Sequence, residues 1–281
     1  MAEYRGHGGQ SATARLQRVL VRRPPADCSD WRRYGWRAAP DPAALAAEHE
    51  ALCQLLKTAG AEVVVAPATT LDAIYVYDPA LVANDGAVLL RPGKEGRRAE
   101  SDALASELAR LGVPISARLD PPALAEGGDF FWLDENTLCA GRGYRTNSDG
   151  IWALERLLGV EMLVFDLPRL RGPDSCLHLL SLVSPLADDL VVAYSPLLAV
   201  RLAQLLTELD VEVVEVPDKE FDTLGPNVLA VAPRVAVLPE HNTETRRRLE
   251  RVGVEVLVYR AAELSKGGGG PTCLTLPLLR R

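Results

Sequence analysis

The sequence contains no CxxC pair, no long basic cluster and no apolar run long enough to span a membrane. Each absence excludes a class of protein. The cysteines, Cys28, Cys53, Cys139, Cys176 and Cys273, are odd in number and widely spaced. That argues against both a disulfide framework and a zinc ribbon, and it suggests a reducing compartment. A net charge of −7 argues against a nucleic-acid surface. The first residues, MAEYRGHGGQSATARLQ, lack the apolar stretch of a secretory signal. The expectation is a cytoplasmic protein with no nucleic-acid partner and no membrane segment.

What is present is ordinary for a globular protein: 281 residues, 48% apolar and 25% charged, enough for a sizeable core. One pattern recurs. A helical stretch rich in Leu and Ala ends in Gly or Asp, and a short strand follows. It appears as LLKTAGAEVVVAP, LARLGVPISARL, LERLLGVEMLVFDLP, LLTELDVEVVEVP and RLERVGVEVLVYR. The strands begin near Ala61, Val113, Val160, Val211 and Val254, at successive spacings of 52, 47, 51 and 43 residues. The glycines serve as C-caps. Between the units, GAVLLRP, NTLCAGRG, DLVVAYS and RVAVLP read as further strands.

Repetition at this period suggests an α/β ring of five units with strands inside and helices outside. An ordinary doubly wound α/β sheet also alternates strands and helices, so periodicity leaves both open. CLTLPLL near the C-terminus could pair with LQRVLVRR and close the ring. Residues 1–15 read as a disordered N-terminal tail ahead of a single domain, 16–281. The Pro-, Arg- and Trp-rich stretch from Arg22 to Pro42 reads as a long loop suited to a lid.

Residues able to carry chemistry fall at the unit junctions. DAIYVYDPAL places Asp72 and Asp78 on one face if it is a strand, although an Asp before Pro79 also suits a turn. Glu126 precedes the Gly-Gly-Asp turn of LAEGGDFFWL, a pattern common in hairpins. Arg142 and Arg145 in GRGYRTN, and Arg97 and Arg98 in RPGKEGRR, are suited to gripping carboxylates, or to the surface. There are four histidines. His7 lies in the expected tail, His49 in a charged helix and His241 in a polar loop, which leaves His178 as the acid/base candidate. Cys273 follows GGGG, whose amides and lack of side chains would suit a reactive thiol beside a substrate.

Taken in order, YVYD, EGGD, GRGYRTN, CLHLLS and GGGGPTC resemble the guanidine-modifying pentein superfamily. It includes arginine deiminases, dimethylarginine dimethylaminohydrolases and amidinotransferases. The resemblance implies a five-bladed α/β propeller of repeated ββαβ units, so that 16–281 forms one pentein catalytic domain. It implies that Cys273 is the nucleophile, His178 the acid/base and Glu126 the carboxylate paired with it. Asp78 would grip the guanidinium and Asp72 would lie near the substrate amino group. Arg97 and Arg145 would hold the substrate carboxylate. It implies a small-molecule substrate, methylated arginine or arginine, with no cofactor and no metal, and it is compatible with a homodimer.

Arginine deiminases carry an Asp two residues after the histidine, where this chain has Leu180, and they are longer. Both points favour a hydrolase of N-methylated arginine giving citrulline and dimethylamine. Tyr77 stands where that family often has Glu. The alternatives are a deiminase-type hydrolase releasing ammonia from arginine, and a non-catalytic propeller that binds a partner.

Overall fold

The computed structural model describes residues 6–172 and 177–281. β1 (Leu16–Arg23), α1 (Pro42–Thr58) and β2 (Glu62–Pro67) open the chain. Three ββαβ units follow. The first is β3 (Ala80–Ala83), β4 (Gly86–Leu89), α2 (Glu100–Arg110) and β5 (Ile115–Arg118). The second is β6 (Phe130–Asp134), β7 (Thr137–Arg142), α3 (Ser148–Leu158) and β8 (Glu161–Asp166). The third is β9 (Val183–Ala187), β10 (Leu190–Ala193), α4 (Val200–Glu208) and β11 (Glu212–Glu215). After the short α5 (Asp218–Phe221) comes a fourth such unit: β12 (Leu229–Ala232), β13 (Val235–Pro239), α6 (Thr243–Arg251) and β14 (Glu255–Tyr259). The last strand is β15 (Leu276–Arg280).

These strands form five three-stranded sheets, one per predicted unit. In each, an antiparallel pair is extended by a parallel strand reached through the helix, as in β3-β4-β5. The blade of β1 and β2 is completed by β15, which pairs antiparallel with β1 from Leu16↔Arg280 to Leu20↔Leu276. The two ends of the chain therefore share one sheet, as CLTLPLL and LQRVLVRR suggested.

The core closes the ring. Five buried apolar clusters each join two neighbouring blades. Leu20, Leu278 and Leu89 link the first blade to the second, and Val88, Phe130 and Leu154 the second to the third. Phe131, Val183 and Val191 link the third to the fourth, and Val192, Ala230 and Leu238 the fourth to the fifth. Val19, Val231 and Val237 link the fifth back to the first. A strand's two faces serve two neighbours: Leu190 and Val192 of β10 point to one cluster, Val191 and Ala193 to the other. This is why these strands read as continuous apolar runs rather than alternating ones.

The expected C-caps are in place. Gly60, Gly112, Gly159, Asp210 and Gly253 all have positive φ before the third strand of their blade. The reading of residues 1–15 as a disordered tail is corrected for residues 6–15. Gly8 bonds backbone-to-backbone with Leu278 and Arg280, Gly9 N donates to Asn84 Oδ1 at 2.9 Å, and Thr13 is buried. β15 offers an edge with unpaired backbone groups, and the segment pairs with it. Among the described residues no helix is long and apolar enough to cross a membrane.

Candidate active site

Each inner strand, the edge strand that runs antiparallel to the middle one of its sheet, is short and wholly or largely buried, and the segment leading into it carries a candidate residue. Asp78 precedes β3 by two residues, Glu126 and Asp129 precede β6, His178 precedes β9, and Cys273 precedes β15. The fifth approach, before β12, carries Asn227. The sequence reading had no candidate there.

The approaches are tied together by backbone as well as side chain. Tyr77 N donates to Cys273 O at 3.3 Å, and Gly127 N to Asp78 O at 3.1 Å. Glu126 is fully buried and its Oε2 lies 2.7 Å from His178 Nε2. Its Oε1 accepts from Lys94 N at 3.0 Å and from Arg145 Nη1 at 3.3 Å. Burial would raise this carboxyl, but the His178 bond and charge, then Arg145 and Arg97, hold it well below the usual range. The His178 ring lies over Gly128, where any Cβ would collide with Nδ1. Nδ1 in turn lies 3.9 Å from Asp78 Oδ1, which accepts from Gly128 N at 3.2 Å.

Asp129 is also fully buried and ties this corner together. It accepts from Thr146 Oγ1 at 2.6 Å and from Leu179 N at 3.0 Å, beside His178. Burial pushes its carboxyl up to about 7, against the pull of His178 and Thr146. Cys273 is buried at 9% exposure. Its Sγ lies 3.7 Å from Asn227 Nδ2 and 3.8 Å from Thr272 Oγ1.

Cys273, His178, Glu126, Asp78 and Arg145 thus converge in one network of contacts, as the sequence suggested. The other two predicted residues, Asp72 and Arg97, need correction or addition. Asp72 and Asp78 do not share a strand face, because Asp72–Ile74 forms a 3-10 turn and β3 starts only at Ala80. Asp72 is nonetheless buried. It accepts from Trp36 Nε1 at 2.8 Å and from Lys94 Nζ at 2.5 Å. Lys94 also donates to Tyr34 O at 2.6 Å. Trp36 and Tyr34 belong to the loop expected as a lid.

Arg97 is turned inward. Its guanidinium pairs with Asp78 and with Glu100, at 2.8 Å for Nη2, and donates to Tyr75 O at 2.8 Å. Burial opposes its charge, but Glu100 and then Asp78 keep it protonated. Arg97 therefore holds a pocket carboxylate in place rather than facing a substrate carboxylate. Arg142 lies at the surface against Asp166, and Arg98 near Glu95 at 3.5 Å. His49, expected in a charged helix, is buried against Cys53 Sγ at 3.7 Å, and burial pulls it down to about 4. In CLHLLS, Cys176 lies outside the described residues.

The glycine run also differs from expectation. A Cβ at Gly267 or Gly269 would strike Tyr75, and one at Gly270 would strike Asn227. Three of the four glycines therefore make room for the protein's own side chains, which pack the Cys273 loop against its neighbours. The sequence also conceals a cluster in which Asp78, Glu126 and His178 each offer a ligand atom within 4.8 Å of the others. Two buried carboxylates and an imidazole are ligand types that could receive a cation, and Arg97 and Arg145 already pair with these carboxylates.

Fold and site together define a class: a ring of five α/β blades with a cysteine, a histidine–glutamate pair and an aspartate at one end. The arginine deiminase family model matches residues 180–280. A dimethylarginine dimethylaminohydrolase from Pseudomonas aeruginosa is 25% identical over 93% of this chain and 99% of its own. One from Streptomyces coelicolor is 29% identical over 74% of each chain. An arginine deiminase from Listeria welshimeri is 27% identical, and the match covers 61% of that longer protein. The P. aeruginosa enzyme, solved as a cysteine-to-serine variant with citrulline, superposes with a TM-score of 0.78 at 21% identity, covering 93% of this chain and 99% of that one. An amidinotransferase from Microseira wollei superposes at 0.75 with 17% identity, covering 98% and 97%. The chain is thus similar in sequence to dimethylarginine dimethylaminohydrolases and arginine deiminases, and its fold is the five-bladed α/β ring of the pentein enzymes.

Proposed function

We propose that this protein hydrolyses N-methylated arginine to citrulline and dimethylamine through a covalent intermediate on Cys273. One observation carries the reading: Cys273, the His178–Glu126 pair and Asp78 converge from separate blades at one buried end of the ring. A guanidinium is a resonance-stabilised cation and a poor electrophile. Gripped by Asp78 and fixed over the sulfur, its carbon meets an oriented nucleophile rather than a diffusing one.

The Cys273 thiolate adds to that carbon. The tetrahedral adduct expels dimethylamine, which takes its proton from His178, and leaves an S-alkylthiouronium. His178, oriented through Nε2 by Glu126, then takes a proton from water. The water attacks the same carbon, the thiolate departs and the ureido product forms. Leu180, where deiminases carry an Asp, is buried two residues after His178, and its carbonyl accepts from Asn227 Nδ2 at 3.1 Å. An apolar side chain at 180 removes a carboxylate and suits a methylated nitrogen better than a bare one.

The deiminase reading is favoured by the arginine deiminase match over residues 180–280. A colorimetric ureido assay across arginine, monomethylarginine, asymmetric dimethylarginine and agmatine separates the readings. Turnover of dimethylarginine with dimethylamine release supports the first, and ammonia from arginine alone supports the second. No ureido product from any of the four overturns both.

A further inference from the structure

Asn227 stands, relative to its blade, where Asp78, Glu126, His178 and Cys273 stand relative to theirs. It is 98% buried, two residues before β12. The amide orientation is fixed by its partners. Oδ1 accepts from Thr272 N at 3.2 Å and from Thr272 Oγ1 at 2.8 Å. A backbone N–H can only donate, so the oxygen must face Thr272 and the NH₂ must face the other way. There Nδ2 donates to Leu180 O at 3.1 Å and lies 3.7 Å from Cys273 Sγ. Gly270 leaves the space that this side chain fills.

We propose that Asn227 is a catalytic residue whose amide N–H donates to the Cys273 sulfur, favouring the thiolate and aiming it, while its second N–H fixes the carbonyl two residues past His178. This rests on the reading of Cys273 as the nucleophile. Burial alone works against a thiolate: it pushes Cys53 up to about 11 and Cys139 up to about 12. A neutral N–H donor opposes that cost without adding a charge that would repel a guanidinium. The phenols of Tyr75, Tyr77 and Tyr259 are themselves held protonated by burial and by the sulfur's charge. Asp78, next to the backbone bond to Cys273 O, is paired with the Arg97 guanidinium, and Glu126 is paired with His178.

The test is the pH dependence of Cys273 carboxamidomethylation by iodoacetamide, read by mass spectrometry of its peptide. It needs no substrate, so it is independent of turnover. In Asn227→Ala the rate curve is expected to shift upward by about one pH unit, a roughly tenfold slower reaction at pH 7. Asn227→Asp keeps the shape and can keep the Thr272 contacts, but it turns an anion towards the sulfur, so it should be slower still. Circular dichroism confirms folding, and the isosteric Asp variant decides the matter if the Ala variant does not fold. An Ala curve that coincides with wild type, or an Asp variant that reacts as fast as wild type, overturns the proposal. A shifted curve in a protein that yields no ureido product would support Asn227 while sinking the hydrolase reading.

Discussion

Arg97 and Arg145 look alike in the sequence, two arginines near glycines in loops, and burial separates them. Arg97 neutralises two buried carboxylates, Asp78 and Glu100. Removing it strands both. Arg97→Ala is expected to cost about 3–5 kcal/mol, read as a lower urea midpoint. Arg145 keeps 11% side-chain exposure beside Glu126. Arg145→Ala should raise KM for substrates carrying an α-carboxylate by about tenfold, with little change in the urea midpoint. Equal stability loss in the two variants would contradict this division of roles. The sequence could not make it, because Glu100 and Asp78 meet Arg97 only once the chain folds. Asn227 was missed for a related reason. LGPNVLA reads as a turn, and the position matters only when the five inner-strand approaches are superposed. Asp78, Glu126, His178 and Cys273 were legible because chemically distinctive side chains interrupt apolar or glycine-rich context.

Among the elements, the helix-to-strand joints were the most legible feature, since a left-handed residue is needed where each helix stops. Four of these joints use Gly, and the fourth along the chain uses Asp210 at φ 55°. An L-residue with a Cβ is strained there. Asp210→Gly should therefore stabilise the protein by about 0.5–1 kcal/mol, visible as a higher melting temperature. A lower one would mean that the Asp210 side chain contributes more than its backbone strain costs. The inner strands β3, β6, β9 and β12 were not read as strands. They span only four or five residues, are buried largely or wholly, and so give no alternation for a period of two to register. The glycine run was legible as a place of close approach, but whether substrate or protein side chains approached depended on Tyr75 and Asn227, distant in sequence.

For the whole molecule, periodicity fixed the number of blades, and the apolar clusters explain why the ring closes: each blade lends one sheet face to each neighbour. The buried corner around Asp129 links this architecture to pH. The folded protein keeps Asp129 protonated up to about 7, whereas an unfolded chain releases that proton near 3.9. Between those values the folded state holds more protons, so this group's contribution is present at low pH and is lost as pH rises through about 7. Asp129→Asn can still accept from Leu179 N and can meet Thr146. Its melting temperature should consequently fall less than that of wild type between about pH 5 and pH 8. Parallel curves would mean that Asp129 is ionised throughout.

The central claim is covalent guanidine chemistry on Cys273, and a rapid acid quench tests it most directly. Wild-type protein mixed with asymmetric dimethylarginine and quenched within milliseconds should show an added thiouronium mass on the peptide containing Cys273, absent in Cys273→Ser. Ureido product forming with no adduct on Cys273, or a Cys273→Ser protein that turns over at the wild-type rate, would contradict the account.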